Sequence, residues 1–119
     1  MNGIEVTQYD SFSVISLPVE EMDFIKTPKI AGAVLRELEG IGFPNIVLEL
    51  PNLYYIDSTG MSSIINLSRI MKEKDRELVL VCGSPRIIQI FGIAKLGAHI
   101  RIFAGLEDAE RYFITRPSA

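Results

Sequence analysis

Short apolar runs alternate along this chain with segments whose apolar residues recur every three or four positions, and few folds accommodate that alternation. Residues 46–50 and 78–82 read as buried strands, and residues 99–103 supply a shorter one. Between the strands, Ile30, Val34, Leu38 and Ile41 recur at spacings of four and three. Met61, Ile64, Ile65, Ser68 and Met71 line a related helical face, and Ile87, Ile88, Phe91 and Ala94 line a third. Residues 106–114 give a last helix. At the start, Ile4 and Val6 alternate with polar neighbours. A second apolar run, residues 11–17, follows Gln8, Tyr9 and Asp10, which is a hairpin pattern. Strands that alternate with helices imply parallel neighbours joined by right-handed crossovers, and the hairpin adds a mixed edge. The expected fold is a single α/β domain over residues 1–119, with a mixed, mostly parallel sheet of about five strands and about four helices.

Local signals set the expected boundaries. Thr27-Pro28 reads as a helix start, with the Thr hydroxyl accepting an early amide and Pro in the first turn. Gly40 and Gly42 offer the left-handed stop. Ser84-Pro85 repeats the start signal for the third helix, and Gly97 is expected to stop it. Residues 19–26 read as an acidic loop, and residues 72–76 as a charged exit from the second helix.

Composition narrows the function. The formal net charge is −3 and the basic residues are dispersed, whereas nucleic-acid binding needs a concentrated basic footprint. No apolar run approaches the roughly 20 residues that span a bilayer. Residues 1–10 lack the basic start and apolar stretch of a signal peptide, so a cytoplasmic setting is expected. Cys82, the single cysteine, has no internal disulfide partner and reads as a buried strand residue. One histidine, one cysteine and scattered carboxylates make no metal site, and no Gly-rich phosphate loop is present. No cofactor is expected.

The segment Tyr55-Ile56-Asp57-Ser58-Thr59-Gly60-Met61 carries the chemistry. Asp and Ser just before an amphipathic helix are ordinary capping residues, each able to hold a first-turn amide for about 1 kcal/mol. The same geometry suits a phosphoryl group, because a helix N-terminus offers unpaired amides and a partial positive charge. Ser58 as an enzyme nucleophile would need a base, for which His99 is the one candidate imidazole, and the turn lacks the Gly-x-Ser-x-Gly pattern. A non-enzymatic role is expected.

Residues 46–50 followed by this segment resemble the central signature of the STAS family, named for sulfate transporters and anti-sigma-factor antagonists. Members show an apolar strand ending in an acidic residue, a short connection, then an apolar-Asp-Ser-Ser/Thr-Gly-Leu turn opening a helix. Residues 77–83, the apolar helix through Leu96, and Asp108-Ala109 also fit, so the likeness runs from about Ile4 to Phe113. For a stand-alone antagonist the resemblance implies partner switching. Ser58 is then the acceptor for an anti-sigma factor with serine kinase activity, with Thr59 a lesser candidate. The unphosphorylated chain binds the kinase, the phosphorylated chain lets go, and a serine phosphatase resets it. Asp57, Thr59, Gly60 and Met61 would line the contact surface, with Ser62 beside them and Glu20, Glu21 and Asp23 in the acidic loop. ATP and magnesium belong to the kinase. The alternative is an unphosphorylated scaffold in a transporter or sensory complex; the acidic loop and Met61 suit either interface, and their plainer readings are a solvated loop and a core methionine. Two features depart from the common pattern. Residues 17–23 hold no glycine where many antagonists carry Gly-x-Leu/Ile-Asp, and Met61-Ser62-Ser63 stands where relatives often have Leu-Gly.

Overall fold

The computed structural model describes residues 1–115. In chain order the elements are β1 (Glu5–Gln8), β2 (Ser13–Ser16), β3 (Glu21–Met22), α1 (Thr27–Ile41), β4 (Ile46–Glu49), β5 (Tyr55–Ile56), α2 (Ser58–Glu73), β6 (Leu78–Val81), α3 (Pro85–Ile93), β7 (Ile102–Phe103) and α4 (Leu106–Ile114). A 3-10 turn, Leu96–Ala98, links α3 to β7.

Strands buried on both faces organise the molecule. In β4, Ile46 and Leu48 point into one apolar cluster while Val47 points into another; in β6, Leu78 and Leu80 oppose Val79 and Val81 in the same way. The larger cluster takes in Ile30, Val34 and Leu38 of α1, Ile64, Leu67 and Met71 of α2, and Ile87 and Phe91 of α3. The smaller one is closed by Ala109 and Phe113 of α4, with Phe113 stacked on Phe12 at 5.6 Å between ring centroids. Three helices therefore cover one side of the sheet and α4 covers the other. The strand order is β1-β2-β4-β6-β7; β1 runs antiparallel to β2 at the edge and the other pairs are parallel. This is the expected mixed sheet of five strands with four helices.

Four boundaries differ from the sequence reading. Residues 19–26 are not a continuous loop, because Glu21 and Met22 pair in parallel with Tyr55 and Ile56 in a separate two-stranded sheet. Such short strands carry too few residues to show a periodicity. Thr27 does not cap α1: it lies inside the first turn, and its buried Oγ1 has no hydrogen-bond partner. α1 has no side-chain cap; Asp23 Oδ1 accepts from the amides of Ile25 (3.1 Å) and Lys26 (2.8 Å) in the turn that precedes it. The left-handed stop after α3 falls on Lys95 (φ 57°), not on Gly97, which sits in the 3-10 turn. His99 closes that turn and the strand begins only at Ile102.

The other expected ends hold. Gly42 adopts φ 79° and its amide turns back on the carbonyls of Leu38 and Glu39, while the Phe43 amide reaches Leu38 at 3.0 Å. Ser84 caps α3 by accepting from the Ile87 amide at 3.3 Å.

Two expected outcomes follow. Thr27→Val removes an unsatisfied hydroxyl at constant shape, so urea unfolding should show a gain of about 1 kcal/mol, because burying that group without a partner costs about 1–3 kcal/mol. Cys82 is 1 % exposed and burial pushes its thiol pKa up, against a weaker opposing hydrogen bond from the Ser84 backbone. A thiol-disulfide reagent at pH 8 should leave the folded chain unmodified over minutes and titrate one thiol in urea.

Candidate functional site

The two-stranded sheet assembles the site. Its register sets Met22 beside Ile56 and Glu21 beside Tyr55, and the Asp57 amide donates to the Met22 carbonyl at 3.2 Å. The loop that follows β3 is thereby held against the start of α2, although 33 residues separate Phe24 from Asp57.

Asp57 is the cap of α2, in extended conformation, and both of its carboxylate oxygens are used. Oδ1 accepts from the Gly60 amide at 3.1 Å, satisfying a first-turn donor. Oδ2 accepts from the Phe24 amide at 2.9 Å, tying the loop to the helix. Gly60 is buried because the loop lies directly on it. A Cβ there would sit 2.4 Å from the Met22 carbonyl oxygen and 2.7 Å from Ile56 Cγ1, so no residue with a side chain fits.

With Asp57 as the cap, Ser58 has no capping work. It is the first helical residue, exposed, and its hydroxyl makes no hydrogen bond among the described residues. Thr59 is half-buried. Ser62, one turn on, is exposed on the same face as Ser58. Met61 is half-buried against the larger apolar cluster.

The acidic residues of the loop take three different positions. Glu20 is exposed, and its carbonyl accepts from the amides of Tyr54 (2.9 Å) and Tyr55 (3.2 Å). Glu21 pairs with Lys26, and Asp23 holds the turn into α1. Asp23 thus adjoins Phe24, whose amide is held by Asp57, while Glu21 lies beside Tyr55, and each of the two carboxylates already holds a cation or an amide. Two residues that the sequence reading passed over belong here. Phe24 and Ile25 are 68 % and 70 % exposed, and Tyr54 and Tyr55 stand exposed nearby on the loop into β5. The signal was present: stepping back from Ile30 by three or four places reaches Thr27 and Lys26, so Phe24 and Ile25 fall outside the buried stripe of α1.

His99 lies elsewhere. It is exposed, and its carbonyl accepts from Lys72 Nζ at 3.0 Å, at the far end of α2. At 1.5 Å rise per residue that is about 20 Å along the helix from Ser58, too far for a general base. Among the described residues no group of His, Cys, Asp and Glu is placed to hold a metal ion, and no helix is long and apolar enough to cross a membrane.

A mixed α/β sheet thus presents an Asp-capped, serine-bearing helix start beside a short parallel strand pair. Residues 3–109 match the family model for the STAS domain, and the chain belongs to that family. An anti-sigma-B factor antagonist of Staphylococcus aureus is 29 % identical over 105 residues, spanning 88 % of this chain and 95 % of its own length. The crystal structure of an anti-sigma factor antagonist from Mycobacterium paratuberculosis shares the fold with a TM-score of 0.75 at 19 % identity, over 94 % of this chain and 93 % of that one. The Bacillus cell fate determinant SpoIIAA in its phosphorylated form superposes with a TM-score of 0.61 at 18 % identity, over 92 % and 98 % of the two chains.

Gly60→Ala tests the close approach on which the site is built. Alanine is the better helix former by about 1 kcal/mol, yet the clash with backbone at Met22 should outweigh it. Thermal unfolding should show a net loss of about 1–3 kcal/mol, with fluorescence or amide signals of residues 22–25 altered.

Proposed function

We propose that this chain is an anti-sigma-factor antagonist that works by partner switching, regulating transcription indirectly. Unphosphorylated, it binds an anti-sigma factor with serine kinase activity; phosphorylation of Ser58 releases it, and a serine phosphatase restores it. The chain acts by binding and takes no cofactor of its own. The observation that carries this reading is the division of labour at the helix start. Asp57 caps α2, which leaves the Ser58 hydroxyl exposed and unused.

In the transfer, Ser58 Oγ forms a bond to the γ-phosphorus of ATP, the bond to the ADP oxygen breaks, and the serine proton passes to a base of the kinase. The product adds about −1.5 to −2 charges at pH 7 beside the Asp57 carboxylate. A partner packed over the helix start must then desolvate two neighbouring anions. A 100-fold loss of affinity corresponds to about 2.7 kcal/mol, well within what one unpaired phosphate in an interface costs. Thr59, half-buried, is the lesser acceptor. Ser62, Met61, Glu20, Glu21 and Asp23 form the remainder of the proposed contact surface.

With a serine-kinase anti-sigma factor from the same genome and magnesium-ATP, the chain should incorporate one phosphate, located at Ser58 by mass spectrometry. Ser58→Ala should take up none and still bind the kinase, while Ser58→Asp should bind about 10- to 100-fold more weakly. Phosphate on another residue, or equal binding by the Asp and Ser forms, refutes the mechanism.

A further inference from the structure

The loop after β3 shows two large apolar side chains to solvent while fixing their backbone with unusual care. Phe24 and Ile25 are consecutive, each about two-thirds exposed, and flanked by charged residues on both sides. Single exposed apolar residues are ordinary, as at Ile93 and Ile114, but Phe24 and Ile25 are adjacent and lie close to the exposed Tyr54 and Tyr55, which makes a contiguous apolar patch. Here three amides in a row are held by carboxylates: Phe24 by Asp57 at 2.9 Å, and Ile25 and Lys26 by Asp23 at 3.1 and 2.8 Å. The Lys26 ammonium is pinned in turn to Glu21. Ile25 also lines an open groove with Pro18, Val19, Glu20, Lys29 and Ile30. No core packing accounts for the pair's exposure, and ordering it in advance lowers the entropy lost on binding.

One bond connects this pair to Ser58. The Asp57 carboxylate that holds the Phe24 amide belongs to the residue immediately before the proposed phosphoacceptor. A phosphate on Ser58 repels that carboxylate and competes with it for the amides of the first turn of α2. Building on the partner-switching reading, we propose that Phe24 and Ile25 are the apolar anchor gripped by an apolar pocket of the kinase-type partner. In this proposal Asp57 is the positioning residue that sets the anchor, and phosphorylation of Ser58 unsets it. Release then has two components, repulsion at the phosphate and loss of a preformed anchor one residue away.

Asp57→Asn separates the two duties of this side chain. Asparagine caps a helix about as well as aspartate, but with one acceptor oxygen it cannot hold the Gly60 and Phe24 amides together. The full chain carrying Asp57→Asn should keep its melting temperature within about 3 °C. Amide hydrogen exchange at Phe24 should nevertheless speed up about tenfold or more, and genetically encoded phosphoserine at position 58 should have the same effect without any partner present. Against the serine-kinase anti-sigma factor, Phe24→Ala and Ile25→Ala, both at exposed positions, should each weaken binding about tenfold or more. Asp57→Asn should weaken binding in step with its loss of protection at Phe24. Wild-type exchange at Phe24 in the phosphoserine protein overturns the coupling. Full-strength binding by both alanine variants, while the parent chain binds and is phosphorylated, overturns the anchor and leaves partner switching intact. Absence of binding by the parent chain refutes partner switching, and the anchor with it.

Discussion

The backbone of Met22 lies so close to Gly60 that nothing larger than hydrogen fits between them. From that contact follow the pairing of β3 with β5, the bond from the Asp57 amide to the Met22 carbonyl, and the placement of Phe24 over the start of α2. Two segments far apart in sequence become one surface through a strand pair of only two residues each. Strands this short are not independently stable. They persist because Met22 and Ile56 bury their side chains in the main core while the backbone of both segments is tied to the helix cap.

Asp57 illustrates how a capping residue acquires a second meaning. A carboxylate at the N-terminus of a helix satisfies an amide and complements the helix dipole, and either serine or aspartate serves that purpose. In this chain the two stand side by side and only the aspartate caps. The serine stands one position further on, in the exposed first turn, where its hydroxyl has no capping work.

Much of the architecture was legible in sequence because it rests on repeated patterns. The stripe of Ile30, Val34 and Leu38 gave α1, the five-residue apolar runs gave β4 and β6, and Gly42 and Ser84 gave helix ends by local chemistry. What escaped notice depends on tertiary contact. Glu21 and Met22 have no pattern of their own and become a strand only because Tyr55 and Ile56 lie alongside. Thr27 has the right residue type for a cap, but the helix begins at Thr27 itself, which leaves the hydroxyl buried and idle inside the first turn. Lys95 takes a left-handed conformation that residue preference assigned to Gly97. At the site, Asp57, Ser58 and Gly60 stood out as types, whereas the apolar pair at Phe24 and Ile25 is visible only once the loop is seen to face solvent.

The sheet's second face has a consequence for how the molecule comes into being. Val14, Val47, Val79 and Val81 are covered by α4, through Ala109 and Phe113, and Phe113 reaches across to Phe12 near the start of the chain. During synthesis these valines have no cover until α4 leaves the ribosome, even though β2, β4 and β6 are by then available to pair. A nascent chain stalled before residue 109 would present a bare apolar sheet, which chaperones and proteases recognise. Completed translation of α4 is what closes this face, on the side of the sheet opposite the helix that carries Ser58.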